Sequence, residues 1–261
     1  MKNKHLKYRG FEIGYKNEFE LNFLIEEIFE NESYFFETEN DTPFIIDCGA
    51  HIGISVLYFK HKFPGARILA FEPDKNSFDI LQENVKRNNL VHVQLVNKAV
   101  SDFSGEAIMY GDFSRNAESV GNTLKQKWGA REGFSQNHVE VTNLLPYIGS
   151  SRVDYLKLDV EGTELEVLRQ IEPHMKQIKK FFIEFHEYDK NKQVLNDIKK
   201  LLKRNQFTFA VKKIEIQQIL YRKYPEWVTK HQPFVHVIKG KNNESENSTD
   251  RTAKHRRMFC C

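Results

Sequence analysis

Cysteine is scarce in this chain, with Cys48, Cys260 and Cys261 the three in 261 residues. They form neither the framework of a disulfide-stapled secreted domain nor the close spacing of a zinc site. Long apolar runs are missing too. No stretch approaches the roughly 18 residues of a membrane-spanning helix. The basic opening MKNKHLKYRG leads into no apolar stretch, so no signal peptide is expected and a cytoplasmic location is the default. A strong charge of one sign is also absent. The net charge is +3, and residues 241–261, with five basic side chains against three acids, carry +2 of it. The remainder is close to neutral and has no basic stripe, which argues against nucleic acid as a partner. No internal repeat is apparent. In the terminal MFCC, Met258 stands where a prenylation box needs its cysteine, so residues 241–261, with Cys260 and Cys261, read as a disordered polar tail.

What is present is an alternation. LNFLIEEIF places Leu21, Leu24, Ile25 and Ile28 on one helical face, and residues 1–40 read as an N-terminal helical cap. From residue 41 strands and helices alternate. FIIDCG, ARILAFEP, VHVQLVNKAV, VDYLKLDV and KKFFIEFHEY read as strands. ISVLYFKHKF, SFDILQENVKRNN (with Ser77 as N-cap), ELEVLRQIEPHM and KQVLNDIKKLLKRN read as helices. FTFAVKKIEIQQ and PFVHVIK are late strands that form an antiparallel pair. This spacing predicts an α/β fold: a doubly wound, mostly parallel sheet with helices on both faces and right-handed crossovers. Residues 41–240 form that domain, with an insertion at about 103–142. Within it, residues 111–137 run for 27 residues without periodicity, as a lid, binding loop or flexible insertion does. Trp128 is the candidate there to stack on a sugar ring, with Arg115, Lys125 and Arg131 to meet anionic groups.

Ligands of such sheets sit beyond the carboxyl ends of the strands. The first of these strands ends in DCGAHIG, a sharp strand-to-helix turn in which Gly49 and Gly53 let backbone approach a ligand and the loop amides, Ser55 among them, suit a carboxylate. Glu72 ends the next strand, twenty-five residues after Asp47, where an acid accepts hydrogen bonds from ribose hydroxyls. A pyrophosphate would be ill served by Asp47, whereas an ammonium group would be well served. S-adenosylmethionine has a ribose, an ammonium group and no phosphate, so it fits this loop better than a nicotinamide dinucleotide. Ala99 and Val100 are suited to line an adenine slot, and Asp102 to reach its exocyclic amine. Beyond them, Asp159 and Glu161 end one strand while Glu184 and His186 share a side of the next. If those strands are neighbours, four ionisable groups converge at the ligand end.

FIIDCGAHIGISVLYF, ILAFEPDKNSFDILQENVKRNN, NKAVSD, VDYLKLDVEGTELEVL and FFIEFHEY together resemble the successive motifs of FkbM-type methyltransferases, over roughly residues 40–190. The resemblance implies the Rossmann-like class I methyltransferase sandwich, with its last strand antiparallel. It also implies a cofactor site at the first three strand ends and O-methylation of hydroxyls on sugars or natural products. Cys48 and His51 depart from the small apolar residue and asparagine more usual in that family, yet both preserve the loop.

The residues expected to bind S-adenosylmethionine are Asp47, Gly49, His51, Gly53, Ser55, Glu72, Ala99, Asp102 and Asp159. The expected catalytic set is Asp159, His186, Glu161 and Glu184, with His186 or Asp159 as the base toward an acceptor hydroxyl. Asp159, Glu184 and His186, with Glu161 beside them, also compose an oxygen-rich set that could take Mg²⁺, although no tight ligand spacing supports one. Two other readings stay open at this point: a nicotinamide-dependent dehydrogenase, and a non-catalytic domain that keeps a nucleoside pocket. A nucleic-acid methyltransferase fits less well, because no NPPY-like turn follows the fourth strand.

Overall fold

The computed structural model describes residues 3–111, 123–124, 135–149, 152–187, 192–215 and 234–243. Trp128, Arg115, Lys125, Arg131, Cys260 and Cys261 lie outside the described residues.

The chain opens on a hairpin rather than a helix. β1 (Lys4–Tyr8) pairs antiparallel with β2 (Phe11–Tyr15) through a turn at Arg9 and Gly10, both at positive φ. The expected all-helical cap over 1–40 is corrected to this extent. Leu6, Tyr8, Phe11, Ile13 and Tyr15 recur with period two and pack on the core. A lone two-stranded hairpin is marginal in water, so this one depends on its support. Asn84 provides much of it: its side chain accepts from Gly14 N (2.6 Å) and donates to Gly14 O (3.1 Å) and to Ile52 O (2.8 Å). One buried amide thereby ties hairpin, glycine loop and helix together. After the hairpin comes α1 (Glu18–Ile25), whose first amides are capped by Asn17, and then a single π-helical turn, Glu26–Glu30.

The main sheet is built from β3 (Phe44–Cys48), β4 (Arg67–Phe71), β5 (Val93–Val96), β9 (Val153–Leu158), β10 (Ile178–Glu187), β11 (Phe207–Glu215) and β12 (Phe234–Asn242), in the order β11-β12-β10-β9-β3-β4-β5. β5, β4, β3, β9 and β10 are parallel; β12 lies antiparallel between β10 and β11. This is the doubly wound sheet with an antiparallel last strand that the alternation predicts. Its order reverses between β3 and β9, which opens a crevice at their carboxyl ends.

The strand sequences explain the two covered faces. Ile45 and Tyr155 face one core with the hairpin, α1, α2 (Ile54–Lys62) and α3 (Lys75–Arg87). Ile46, Leu156 and Leu158 face the other, with α4 (Leu145–Ile148), α5 (Glu164–Gln170) and α6 (Lys192–Arg204). All six residues of β9 are buried, as in a strand covered on both sides. In α6 the apolar stripe is inward: Leu195, Ile198, Leu201 and Leu202 are all buried.

Two local readings change. The N-cap of α3 is Asp74, whose carboxylate accepts from Ser77 N (3.1 Å) and Ser77 Oγ (2.9 Å); Ser77 is already inside the helix. VHVQLVNKAV is not one strand. Asn97 donates to Glu72 O (2.8 Å) and Pro73 O (3.1 Å), and past this bend β6 (Ala99–Val100) leaves the main sheet. It joins β8 (Ser135–Thr142), which pairs with β7 (Gly105–Gly111), in a second, three-stranded sheet. Part of the insertion is therefore a hairpin with its own small core of Ala99, Met109, Val139 and Val141.

Candidate active site

The crevice between β3 and β9 opens into a cleft holding about 920 Å³ of space, part of it open to solvent. Toward β4 and β5 its wall is mostly apolar, with Phe71, Pro73, Ala99, Val100, Met109 and Leu124 beside Glu72 and Lys98. Toward β9 it is charged: Lys157, Asp159 and Glu161. Leu24, Ile28 and Tyr34 of the N-terminal segment close the remaining side.

The glycine loop forms the floor. Gly49 N and Ala50 N both donate to Phe71 O (3.0 and 2.9 Å), which folds the loop back onto β4. Gly49 has φ +89°, and a Cβ there would stand 2.0 Å from Asp159 O. Gly53 has φ +92°, and its Cβ would stand 2.6 Å from Leu81 Cδ1. Both glycines therefore make room for the protein itself, one for the chain after β9 and one for α3. Gly49 also lines the cleft, whereas Gly53 lies behind it.

Glu72 is buried at the tip of β4. Its two carboxylate oxygens accept from His51 N and Asp74 N, each at 2.8 Å. Burial pushes its carboxyl up to about 8, against the downward pull of those amides. His51, in the left-handed region at φ +49°, turns its ring into the cleft wall. Burial, then Lys157, hold the imidazole down to about 4, so it is neutral at pH 7. Its buried Nε2 meets no hydrogen-bond partner among the described residues.

Asp47 is placed differently from the expectation that it faces an ammonium group. It is fully buried, takes a 2.5 Å hydrogen bond from Ser55 Oγ and lies 3.3 Å from Lys157 Nζ. It secures the loop from behind. Lys157, which the sequence reading passed over, is the centre of the charged end. Although 1% exposed, its ammonium donates to Gly49 O (2.8 Å), lies 3.3 Å from both Asp47 Oδ1 and Asp159 Oδ2, and sits 5.3 Å above the centre of the Tyr34 ring. Burial alone would lower its pKa, but Asp47, Asp159 and Glu184 outweigh burial and hold it above the usual lysine range. The available signal was a lysine inside a buried strand, two residues from Asp159 and so on the same side.

β10 outruns β9. Their parallel ladder ends at Ile183 and Leu158, and the extra length carries Glu184 and His186 past it, beside Asp159 and Glu161. The four expected groups do converge. His186 Nδ1 is 3.3 Å from Glu161 Oε2, its Nε2 is 3.5 Å from Glu184 Oε1, and ligand atoms of Asp159, Glu184 and His186 lie within 4.8 Å of one another. Burial first, then Asp159 and Glu27, raise Glu184 well above the ordinary carboxylate range. Glu27, on the π-helical turn, is near enough to feel Asp159 and Lys157. Asp102 stays outside: it is exposed, its carboxylate accepts from its neighbour Ser101 Oγ (3.2 Å), and it lines no part of the cleft.

This donor set fits S-adenosylmethionine. A buried acid, Glu72, adjoins an apolar slot at one end, and the carboxylates of Asp159 and Glu161 line the other. The Lys157 ammonium there is already committed to two acids, so a pyrophosphate would meet repulsion at that end.

Comparison with known proteins agrees. The model of the methyltransferase FkbM domain matches residues 47–209. Methyltransferase 1 of Beauveria bassiana (strain ARSEF 2860) is 33% identical over 169 residues, 59% of this chain and 68% of that one. Methyltransferase sdnD of Sordaria araneosa is 30% identical over 196 residues, 64% and 76% of the two chains. The 31-O-demethyl-FK506 methyltransferase FkbM of Streptomyces tacrolimicus is 25% identical over 252 residues, 82% and 94%. With its reversed strand order, glycine loop and strand-end acids, this chain belongs to the FkbM family of S-adenosylmethionine-dependent methyltransferases.

Proposed function

We propose that the protein methylates a hydroxyl group of a sugar, glycan or other small molecule, with His186 and Asp159 as the groups that receive the hydroxyl proton. The observation that carries this reading is the position of His186: an imidazole between two carboxylates, within 4.8 Å of Asp159 and beside the cleft. The Streptomyces relative, named a 31-O-demethyl-FK506 methyltransferase, supports an oxygen acceptor.

S-adenosylmethionine, when bound, supplies a methyl group already activated by the positive sulfur. Glu72 would accept from its ribose hydroxyls, Ala99 and Val100 would flank its base, and Gly49, His51, Ser55 and Asp159 would line the rest of its path. The remaining task for the chain is alignment, exclusion of water and removal of one proton. A hydroxyl is a weak nucleophile while protonated, and an imidazole titrates in the range suited to take its proton at neutral pH. Glu161 and Glu184 orient that ring and stabilise it once it is charged. A Mg²⁺ ion at Asp159, Glu184 and His186 could serve the same end by acidifying the hydroxyl. Lys157 disfavours it, because its ammonium already stands 3.3 Å from Asp159.

A panel of glycans and small hydroxyl compounds, scored by label transfer from S-adenosylmethionine, identifies the acceptor class. With that acceptor, His186→Ala should lower kcat at least a hundredfold while cofactor binding persists, and Asp159→Ala should lower kcat and weaken the cofactor together. Full turnover in both variants refutes the assignment, and loss of activity on adding a chelator restores the metal reading.

A further inference from the structure

His186, the proposed base, stands on a piece of strand supported along one edge. β9 pairs with β10 from Ile178 to Ile183 and stops there, whereas β12 pairs with it from Lys180 to Glu187. Glu184–Glu187 therefore extend past β9 and, among the described residues, pair with β12 alone. Strand ends with few partners fray. Yet His186 must keep its place, with Nδ1 at 3.3 Å from Glu161 Oε2 and Nε2 at 3.5 Å from Glu184 Oε1.

On the opposite face of the same strand end lies a second histidine–carboxylate pair, which the chemistry above does not use. His236 Nε2 stands 2.8 Å from Glu187 Oε2. A carboxylate only accepts, so the imidazole donates from Nε2. Both residues are buried, His236 at 7% exposure and Glu187 at 8%. The register explains how they meet. His236 is directly opposite Phe185, and Glu187 lies two residues further along β10. The period-two rule puts all of these on one side of the sheet, and long side chains reach across such a diagonal. That side is the one covered by α6: Phe185 belongs to the core that holds Leu195 and Ile198. Glu184 and His186 alternate with Phe185 and Glu187 and point to the other side.

The two ends of this bond differ in rigidity. β12 lies between β10 and β11 and pairs with β11 over its whole length, Phe234 to Asn242, with Lys213 opposite His236. Glu187 is the last rung of the β10 ladder. A strand fixed on both edges thus grips the tip of an overhanging one, one residue past His186. Buried polar pairs cost desolvation, and their best-attested use is to fix register.

We propose that His236 and Glu187 are positioning residues for methyl transfer: their cross-strand hydrogen bond pins the end of β10 and so holds His186 against Glu161 and Glu184. This rests on the reading of His186 as the base.

The test uses the full chain. It compares the imidazole nitrogen signals of His186 in ¹⁵N-histidine-labelled protein (identified by their loss in His186→Ala), kcat with the acceptor found by the panel, and calorimetry with S-adenosylhomocysteine. His236→Phe keeps a ring and removes the donor. It should move the His186 signals, lower kcat roughly tenfold or more, and leave S-adenosylhomocysteine affinity within about twofold. Glu187→Ala, which removes the acceptor instead, should match it, and takes its place if thermal melting shows His236→Phe unfolded. His236→Gln, which keeps an N–H donor of similar reach, should restore the His186 signals and most of kcat. With His186→Ala already in place, adding His236→Phe should lower kcat no further. Unmoved His186 signals or an unchanged kcat in His236→Phe overturns the proposal. So does a His236→Gln variant as impaired as His236→Phe, or an equal loss of kcat and cofactor affinity, which makes the pair part of the scaffold alone. If His186→Ala keeps full turnover, the base assignment fails and this role fails with it. If His186→Ala is impaired while His236→Phe is not, this role alone fails.

Discussion

The two ends of the cleft are made in different ways. The end toward β4 and β5 is local: a glycine loop, the acid after β4 and a few apolar residues from short neighbouring stretches of chain. Its polar contacts are largely with backbone, as when Glu72 accepts from His51 N and Asp74 N. The end toward β9 and β10 is a through-space charge network. Asp47 of β3, Lys157 of β9, Asp159 just beyond it, Glu184 and His186 of β10 and Glu27 of the N-terminal segment come from distant parts of the chain. One end holds shape through turns. The other holds charge through mutual compensation, so removing a member there exposes the rest.

Lys157 is where that difference should be widest. Lys157→Met leaves Asp47 and Asp159 without their shared cation. Breaking a buried ion pair from one side costs about 3–5 kcal/mol, read as a drop in urea midpoint at constant slope. Adding Asp47→Asn should recover part of the loss, because it removes one of the two stranded charges. If the double variant is no more stable than Lys157→Met, the network is not coupled and the contrast between the ends dissolves.

Glu72 offers a smaller effect at the other end, and it carries a pH signature. Its carboxyl sits at about 8 in the fold and near the usual ~4.3 in an unfolded chain. The native state thus keeps a proton that the unfolded state has released. Stability of the ligand-free protein should fall as pH rises from about 4.3 to about 8, then level off. Glu27 and Glu164, each raised to about 7, add to the same slope below that value. Glu72→Gln should flatten the portion between pH 7 and 8 and weaken 5′-methylthioadenosine binding about fivefold, since an amide replaces the carboxyl at the ribose. A stability curve that keeps its full slope in Glu72→Gln assigns the pH dependence elsewhere.

The smallest expected change is at Asp102. Being exposed and outside the cleft, Asp102→Ala should alter stability by no more than about 0.5 kcal/mol and cofactor affinity by less than about twofold. A larger loss of affinity would mean that the β6–β8 region closes over the ligand and brings this acid with it.

Much of the fold was legible because its signals are local. Buried five-residue runs such as FIIDC and RILAF, spaced by amphipathic helices, dictate a parallel doubly wound sheet. Legibility failed where support is non-local. The hairpin at 4–15 carries its period-two pattern, but its support is non-local, from Asn84 and the face of α3 on one side and Phe29 and His61 on the other. The bend that splits β5 from β6 depends on Asn97 reaching the chain after β4. In the site, Glu72, Gly49 and the convergence of Asp159, Glu161, Glu184 and His186 followed from the strand-end rule. Asp47 and Asp102 were aimed wrongly, because a residue's position along a strand says nothing of what is packed in front of it.

Taken alone, the order of residues determined the sandwich, the glycine turn and the acids at the strand tips, since periodicity and turn chemistry act over a few residues at a time. Tertiary structure decided which acids are compensated, which face the cleft, and that Lys157 joins them. Charges act across space at a few ångströms, and only the side-by-side placement of β3, β9, β10 and the N-terminal segment sets those distances.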